Sequence, residues 1–244
     1  MYLSILLNGA RGRMGRALAA VADELSVRVA AAVDVGDDPA PGLAAADVIV
    51  DFSAPAATAA LLRLAAAARK PIVIGTTGHT DEERSLLRPL AAQVPCVWTG
   101  NYSVGVNLLF YLTRHAARLL QSEFDAEIVE LHHRMKKDAP SGTAARLAEI
   151  IMEERGLAAT ALRHGRHGLT GGRSSTEVGV HSLRGGDVVG DHTVVFAGPG
   201  ERLELTHRAT DRAILARGAL RAAHWVMKQP PGIYDMQDVL GLKA

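Results

Sequence analysis

One cysteine, Cys96, and an aromatic content of 4% are all that 244 residues offer of those types. A single thiol excludes an internal disulfide. Its place in the apolar run from Val94 to Trp98 reads as a buried structural residue in a reducing compartment. Long hydrophobic runs are also missing: no stretch approaches the roughly 20 apolar residues that span a bilayer. The opening residues, Met1 to Asn8, carry neither a basic leader nor a cleavage-like site. Nor does charge of one sign dominate. Lys and Arg number 27 against 26 Asp and Glu, a formal net charge of +1, so no global field draws the chain to nucleic acid or to an anionic membrane. Anion recognition must then be local. Together these absences predict a cytoplasmic protein with no nucleic-acid or membrane partner. The 48% of hydrophobic residues suffice for one large core or two modest ones.

The first hundred residues alternate short apolar runs with Ala-, Leu- and Arg-rich stretches of helical spacing. Residues 3–7, 27–33, 48–52, 71–75 and 96–99 read as strands, which predicts an α/β, doubly wound parallel sheet. After a helix at about residues 106–120 the texture changes. Strands are expected near Ile128 and at residues 176–183, 188–196 and 202–207, in a mostly antiparallel or mixed sheet, before a closing helix at 213–227. Residues 163–175, with Gly168, Gly171 and Gly172, form the one long polar connection and read as a mobile loop.

Residues 130–144, Glu-Leu-His-His-Arg-Met-Lys-Lys-Asp-Ala-Pro-Ser-Gly-Thr-Ala, concentrate proton donors, cations and a helix start. A strand should end near His133. Ser141 is a good N-cap for a helix running to Arg155, whose first amides at Gly142 and Thr143 lie at the positive helix end. Such a turn suits a carboxylate. His132 and Lys136 are the candidate acid–base groups, with His133 beside them, although neighbouring strand residues face opposite ways. A metal site built from His132, His133, His164 and His167 fits no compact ligand spacing, so no metal is expected.

Asn8 to Arg16 sits between the first strand and first helix, where a dinucleotide-binding turn belongs. Ala10 replaces the first glycine of the common pattern, and Gly9 lies one residue earlier. Asp34 follows Gly15 by about 20 residues, where an acid can bind ribose hydroxyls. Gly75-Thr76-Thr77-Gly78 and Thr99-Gly100-Asn101-Tyr102-Ser103 both follow strands and should line the same crevice. A semialdehyde dehydrogenase would need a nucleophilic Cys near a strand end, and a nucleotide sensor would have no use for the 130–144 motif.

With these motifs in order, joined by Asn101-Tyr-Ser-Val-Gly-Val-Asn107 and Gly200-Glu-Arg-Leu-Glu-Leu-Thr-His207, the chain resembles the dihydrodipicolinate reductase family over essentially its whole length. The resemblance implies a Rossmann-like dinucleotide domain from residues 1–103 and 212–244, with a substrate and oligomerisation domain at 104–211 in a homotetramer. It implies NAD(P)H-dependent reduction of a cyclic dicarboxylate imine in lysine and diaminopimelate biosynthesis. By position, His132 and Lys136 are catalytic, and His133, Ser141, Gly142 and Thr143 contact substrate. Gly9, Ala10, Arg11, Gly12, Arg13 and Met14 fall in cofactor-binding positions, as do Asp34, Gly75, Thr76, Thr77, Thr99, Gly100, Asn101 and Tyr102. Val35 stands where some relatives carry an Arg for a 2′-phosphate, so NADH is expected to be favoured over NADPH.

Overall fold

The computed structural model describes residues 2–243, which fall into two compact units: the chain up to Val104 together with everything from Arg212 on, and Gly105–Asp211. The first unit is built on β1 (Leu3–Asn8), β2 (Val27–Val33), β3 (Val48–Asp51), β4 (Ile72–Ile74), β5 (Pro95–Trp98) and β11 (Gly232–Tyr234). Every pairing is parallel and the order is β11-β5-β4-β3-β1-β2. Helices cover both faces, which explains why β1 and β3 are buried along their whole length and read as unbroken apolar runs. Ile5 and Leu7 join a core with Leu18 of α1 (Arg13–Val21) and Leu220 of α6 (Ala213–Val226). Leu6, one residue out of phase, joins the opposite core with Leu61 and Leu62 of α2 (Pro55–Ala68). Helix α3 (Asp81–Ala91) starts with a capping box between Thr80 and Glu83.

The small residues of α6 let it lie close to the sheet. A Cβ at Gly218 would stand 1.8 Å from the carbonyl oxygen of Tyr102, so helix propensity has yielded there to packing. Strand β11 has only three half-buried residues behind Pro230 and Pro231, too few to show a period in the sequence.

The second unit carries α4 (Val104–Leu120), β6 (Asp125–His132), α5 (Gly142–Arg155), β7 (Leu162–His164), β8 (Val178–Arg184), β9 (Gly190–Gly198) and β10 (Glu201–Ala209). Its sheet order is β10-β9-β6-β8-β7. The pairings of β6 with β9 and of β9 with β10 are antiparallel, whereas β8 lies parallel to β6 and β7, so the sheet is mixed. Arg163 and His164 belong to β7, which shortens the polar connection. That connection is also tied down. Arg173 donates to Glu127 at 2.8 Å and to Asp125 at 2.7 Å, and Arg166 reaches Glu127 at 2.7 Å. Burial works to raise the Glu127 carboxyl, but these guanidiniums and His181 outweigh it and hold the group at about 2. Among the described residues, no helix is long and apolar enough to cross a membrane.

Candidate functional site

Strand β6 alternates as a half-buried strand should, with Ala126, Ile128, Glu130 and His132 all on the buried face. The first two are core. The next two put a carboxylate and an imidazole where the pattern calls for apolar side chains, and Glu130 is fully buried. A buried charge survives only when it is paired and hydrogen-bonded, and Glu130 is saturated. Its Oε2 accepts from His132 Nδ1 at 2.5 Å and from Arg184 Nη1 at 2.8 Å. Its Oε1 accepts from Arg184 Nη2 at 2.8 Å and from the Ser141 amide at 3.2 Å. Burial alone would raise the Glu130 carboxyl; Arg184 and His132 reverse that and keep it ionised. Burial also lowers His132 from 6.5 despite the attraction of Glu130.

Beyond His132 the chain leaves the sheet. The His133 amide donates to Val188 O at 2.8 Å, and that of Lys136 to His133 O at 3.1 Å, forming a tight turn. The alternation that would have kept the two histidines apart therefore ends with the strand. Lys136 Nζ donates to both oxygens of Asp138, at 2.9 and 2.8 Å, and this ammonium holds the Asp138 carboxyl below its usual range. Arg184 also donates to the Asp138 carbonyl at 2.7 Å, so one guanidinium joins the strand end to the lysine loop.

Helix α5 begins after Ser141, whose hydroxyl accepts from the Ala144 amide at 3.2 Å and shares a hydrogen bond of 2.9 Å with His192 Nε2. The Ser141 amide, expected to face a ligand, is turned inward to Glu130. Ser141 is thus the fixed corner of the turn, and the positive helix end falls to Gly142 and Thr143. Space is open at Gly142, where a Cβ would meet nothing within 4 Å. The ring of His192 lies 5.1 Å from that of His132 at 75°.

Three histidines in this unit are held neutral by burial: His192, pushed down to about 4, and His132 and His207 to a lesser degree. An unfolded chain takes up these protons as pH falls below about 6.5, while the folded chain does not. Stability is therefore present above that pH and lost below it. His192 alone should cost about 2 kcal/mol at pH 5. Calorimetric unfolding at pH 7 and pH 5 checks this; equal stability at the two would contradict neutral burial.

In the first unit, the turn after β1 is built from glycines that have no room for a Cβ. At Gly9, with φ of 81°, it would stand 2.4 Å from Phe52 O, and at Gly15 2.3 Å from Gly9 O. The amides of Gly9 and Ala10 donate to Val33 O at 2.9 and 3.1 Å, and that of Gly12 to Gly9 O at 3.1 Å. Open donors in this turn are therefore expected at Arg13, Met14 and Gly15, in the first turn of α1. The Arg11 amide donates to Asp34 Oδ2 at 2.7 Å, and the Val35 amide to Asp34 Oδ1 at 2.8 Å. The Val35 amide, then that of Arg11, lowers the Asp34 carboxyl. Gly9, Gly12, Asp34 and Val35 line a cavity of about 740 Å³ that runs on to Ala57 and Leu61 of α2.

Two residues expected at the cofactor have side chains engaged within the fold. Tyr102 is buried in the core, its hydroxyl donating to Ile74 O at 2.8 Å and Val97 O at 3.0 Å. Thr76 is also buried, its hydroxyl donating to Asp51 at 2.8 Å and accepting from the Ser53 amide at 2.9 Å. Thr77 and Gly100 lie at the surface, and Thr99 and Asn101 bond one another at 3.4 Å. Asn8, at the head of the glycine turn, donates to Asp51 at 2.8 Å, and a residue the motifs missed is Phe52, whose ring would meet any Cβ at Gly75. Asp37 was missed too; it accepts from Arg11 Nη2 at 2.8 Å and the Asp34 amide at 2.9 Å. An acid three residues past Asp34 was the available signal.

Known proteins carry the same two halves. Residues 3–102 match the family model for the N-terminus of dihydrodipicolinate reductase and residues 105–240 that for its C-terminus. A 4-hydroxy-tetrahydrodipicolinate reductase from Akkermansia muciniphila is 53% identical over 243 residues, covering 98% of each chain. One from Syntrophus aciditrophicus is 42% identical over 267 residues, covering 99% of this chain and 100% of its own. A dipicolinate-bound dihydrodipicolinate reductase from Paenisporosarcina sp. TG-14 superposes with a TM-score of 0.79 at 25% identity, covering 98% of this chain and 99% of that one. A glycine turn that leads to a ribose-type acid, and a histidine strand that leads to a cationic loop and a helix N-terminus, each fall inside the matching half, so the chain belongs to the dihydrodipicolinate reductase family.

Proposed function

We propose that this chain reduces 4-hydroxy-tetrahydrodipicolinate to tetrahydrodipicolinate, with loss of water, as a step of lysine and diaminopimelate biosynthesis. The observation that carries this reading is the cluster at the end of β6: a buried imidazole on a saturated carboxylate, a lysine on the adjoining turn, and a helix N-terminus whose corner is bonded to the same carboxylate. The glycine turn suits a dinucleotide, because Gly9 and Gly15 admit no side chain and the cavity beside them ends in the apolar wall of α2. When bound, NADH or NADPH supplies the hydride. This chain's residues do the rest. Gly142 and Thr143 present the positive end of α5 to one ring carboxylate, and Lys136 and His133 hold the other. His132 and Lys136 manage the proton at the imine nitrogen: once water has left, protonation of the conjugated imine readies the ring carbon that carried the hydroxyl to accept hydride, and a proton then taken up at the neighbouring ring carbon restores the imine in the product. Arg13 and Met14 face the pyrophosphate, and Asp34 the ribose. Thr77, Thr99, Gly100 and Asn101 border the nicotinamide. Assembly as a homotetramer fits the exposed Val129 and Leu183 on the face of the second sheet opposite Glu130; sedimentation reads it. The reaction is tested by the fall in NADH absorbance on adding enzymatically generated substrate. A chain that binds NADH but does not oxidise it would overturn the reading.

Cofactor choice follows from the acids around Val35. A 2′-phosphate placed near Asp34 meets a carboxylate, and Val35 offers no cation. Arg11, the nearest candidate, is engaged by Asp37. NADH is therefore favoured, with NADPH usable. Val35→Arg should raise kcat/KM for NADPH by about tenfold, the worth of one hydrogen bond to a charged group, and change that for NADH much less. A parent already selective for NADPH would contradict this.

A further inference from the structure

Glu130 is closed off from solvent and is itself given no contact with substrate, and yet four donors converge on it, with the Ser182 hydroxyl a further support for its charge. Its two oxygens are not equivalent. One takes the Ser141 amide and Arg184 Nη2, the other His132 Nδ1 and Arg184 Nη1. A guanidinium and a backbone amide can only donate. An ionised carboxylate can only accept, so the proton between Glu130 and His132 belongs on Nδ1 of the imidazole. In the neutral ring the lone pair is then on Nε2, the nitrogen turned away from Glu130 and lying over Gly190, where a Cβ would stand 2.9 Å from it. We propose that Glu130 is a positioning residue: it selects the Nδ1–H tautomer of His132, leaving the Nε2 lone pair for the ligand. Through Arg184 and the Ser141 amide it also holds the strand end, the lysine loop and the helix turn in one register.

This rests on the reductase reading for its catalytic consequence, but the tautomer itself is readable without turnover. The groups packed on His132 are Glu130 of its own strand, Arg184 from β8, His192 from β9 and Lys136 from the following turn. None of the other three accepts from Nδ1, because Arg184 and Lys136 only donate, His192 Nε2 is bonded to Ser141, and His192 Nδ1 is buried without a hydrogen bond to His132 or any other group among the described residues.

Glu130→Gln is the informative change because it keeps the shape and removes one acceptor. Its amide must turn its oxygen to the Ser141 amide, which cannot change role, and its NH2 to His132 and Arg184. Of those two, only the imidazole can adapt, by moving its proton to Nε2. Nitrogen-15 spectra of histidine-labelled protein at pH 7.5, with the His132 signals assigned by their loss in His132→Gln, should show Nδ1–H in the parent and Nε2–H in Glu130→Gln. The same variant should lose about 10²-fold or more in kcat, the scale of a positioned acid–base group, while NADH affinity stays at the parent value. A variant that keeps Nδ1–H, or keeps kcat, overturns the proposal. If the variant does not fold, the parent spectrum still decides, since Nε2–H or a doubly protonated ring there also overturns it. A parent with the expected tautomer but no NADH oxidation would instead refute the reductase reading and leave the positioning intact.

Discussion

Replacing His132 with Gln is expected to lower kcat by about 10²–10⁴, the range for loss of a positioned proton-transfer group, with NADH affinity unchanged. The split is the informative part. His132 belongs to the second unit and the glycine turn to the first, so damage confined to chemistry places the residue at the reacting ring. Glutamine preserves a polar contact to Glu130 and is short enough for the buried site, so the loss reads proton handling more than packing. Stopped-flow measurement of NADH oxidation, with NADH binding followed by fluorescence, separates the two effects. Near-parental kcat would mean that another group carries the proton.

Lys136→Met should do broader harm. Methionine matches the stem of lysine but removes the ammonium that Asp138 now engages at 2.8 Å, so both a carboxylate partner and a proton source go. Pyridine-2,6-dicarboxylate, a planar ring with the same paired charges, is expected to inhibit the parent competitively against substrate. In the variant its affinity should fall by about 1.5–3 kcal/mol, the worth of a hydrogen bond to a charged group, or roughly 10- to 150-fold, with kcat lowered as well. Isothermal titration with the inhibitor gives the first number. An unchanged inhibition constant would remove Lys136 from the substrate site.

Much of the scaffold was legible because it obeys period and burial rules. Five of the six parallel strands of the first unit are apolar runs, and α5 begins at a serine that caps it. What escaped notice was short or non-local. Strands β7 and β11 have three residues each, below the length at which alternation shows. Tyr102 and Thr76 follow strand ends, where ligand-facing residues are common, but their hydroxyls satisfy Ile74, Val97 and Asp51 inside the fold. The partners of Glu130 come from its own strand, from β8 and from the cap of α5, with Arg184 standing 54 residues away, and no local motif announces such a contact. A charge on the core-facing phase of β6 was the one trace it left. Likewise the pairing of Arg11 with Asp37 spans 26 residues and engages a cation that falls among the expected cofactor-binding positions.

The central claim is that this chain moves hydride from a nicotinamide to a cyclic dicarboxylate. Its most direct measurement uses NADH deuterated at both C4 positions, with enzymatically generated 4-hydroxy-tetrahydrodipicolinate and mass analysis of the product. One deuterium should appear in each tetrahydrodipicolinate formed, matched by one NAD⁺. NADH consumption without labelled product, or product that carries no deuterium, would contradict the account.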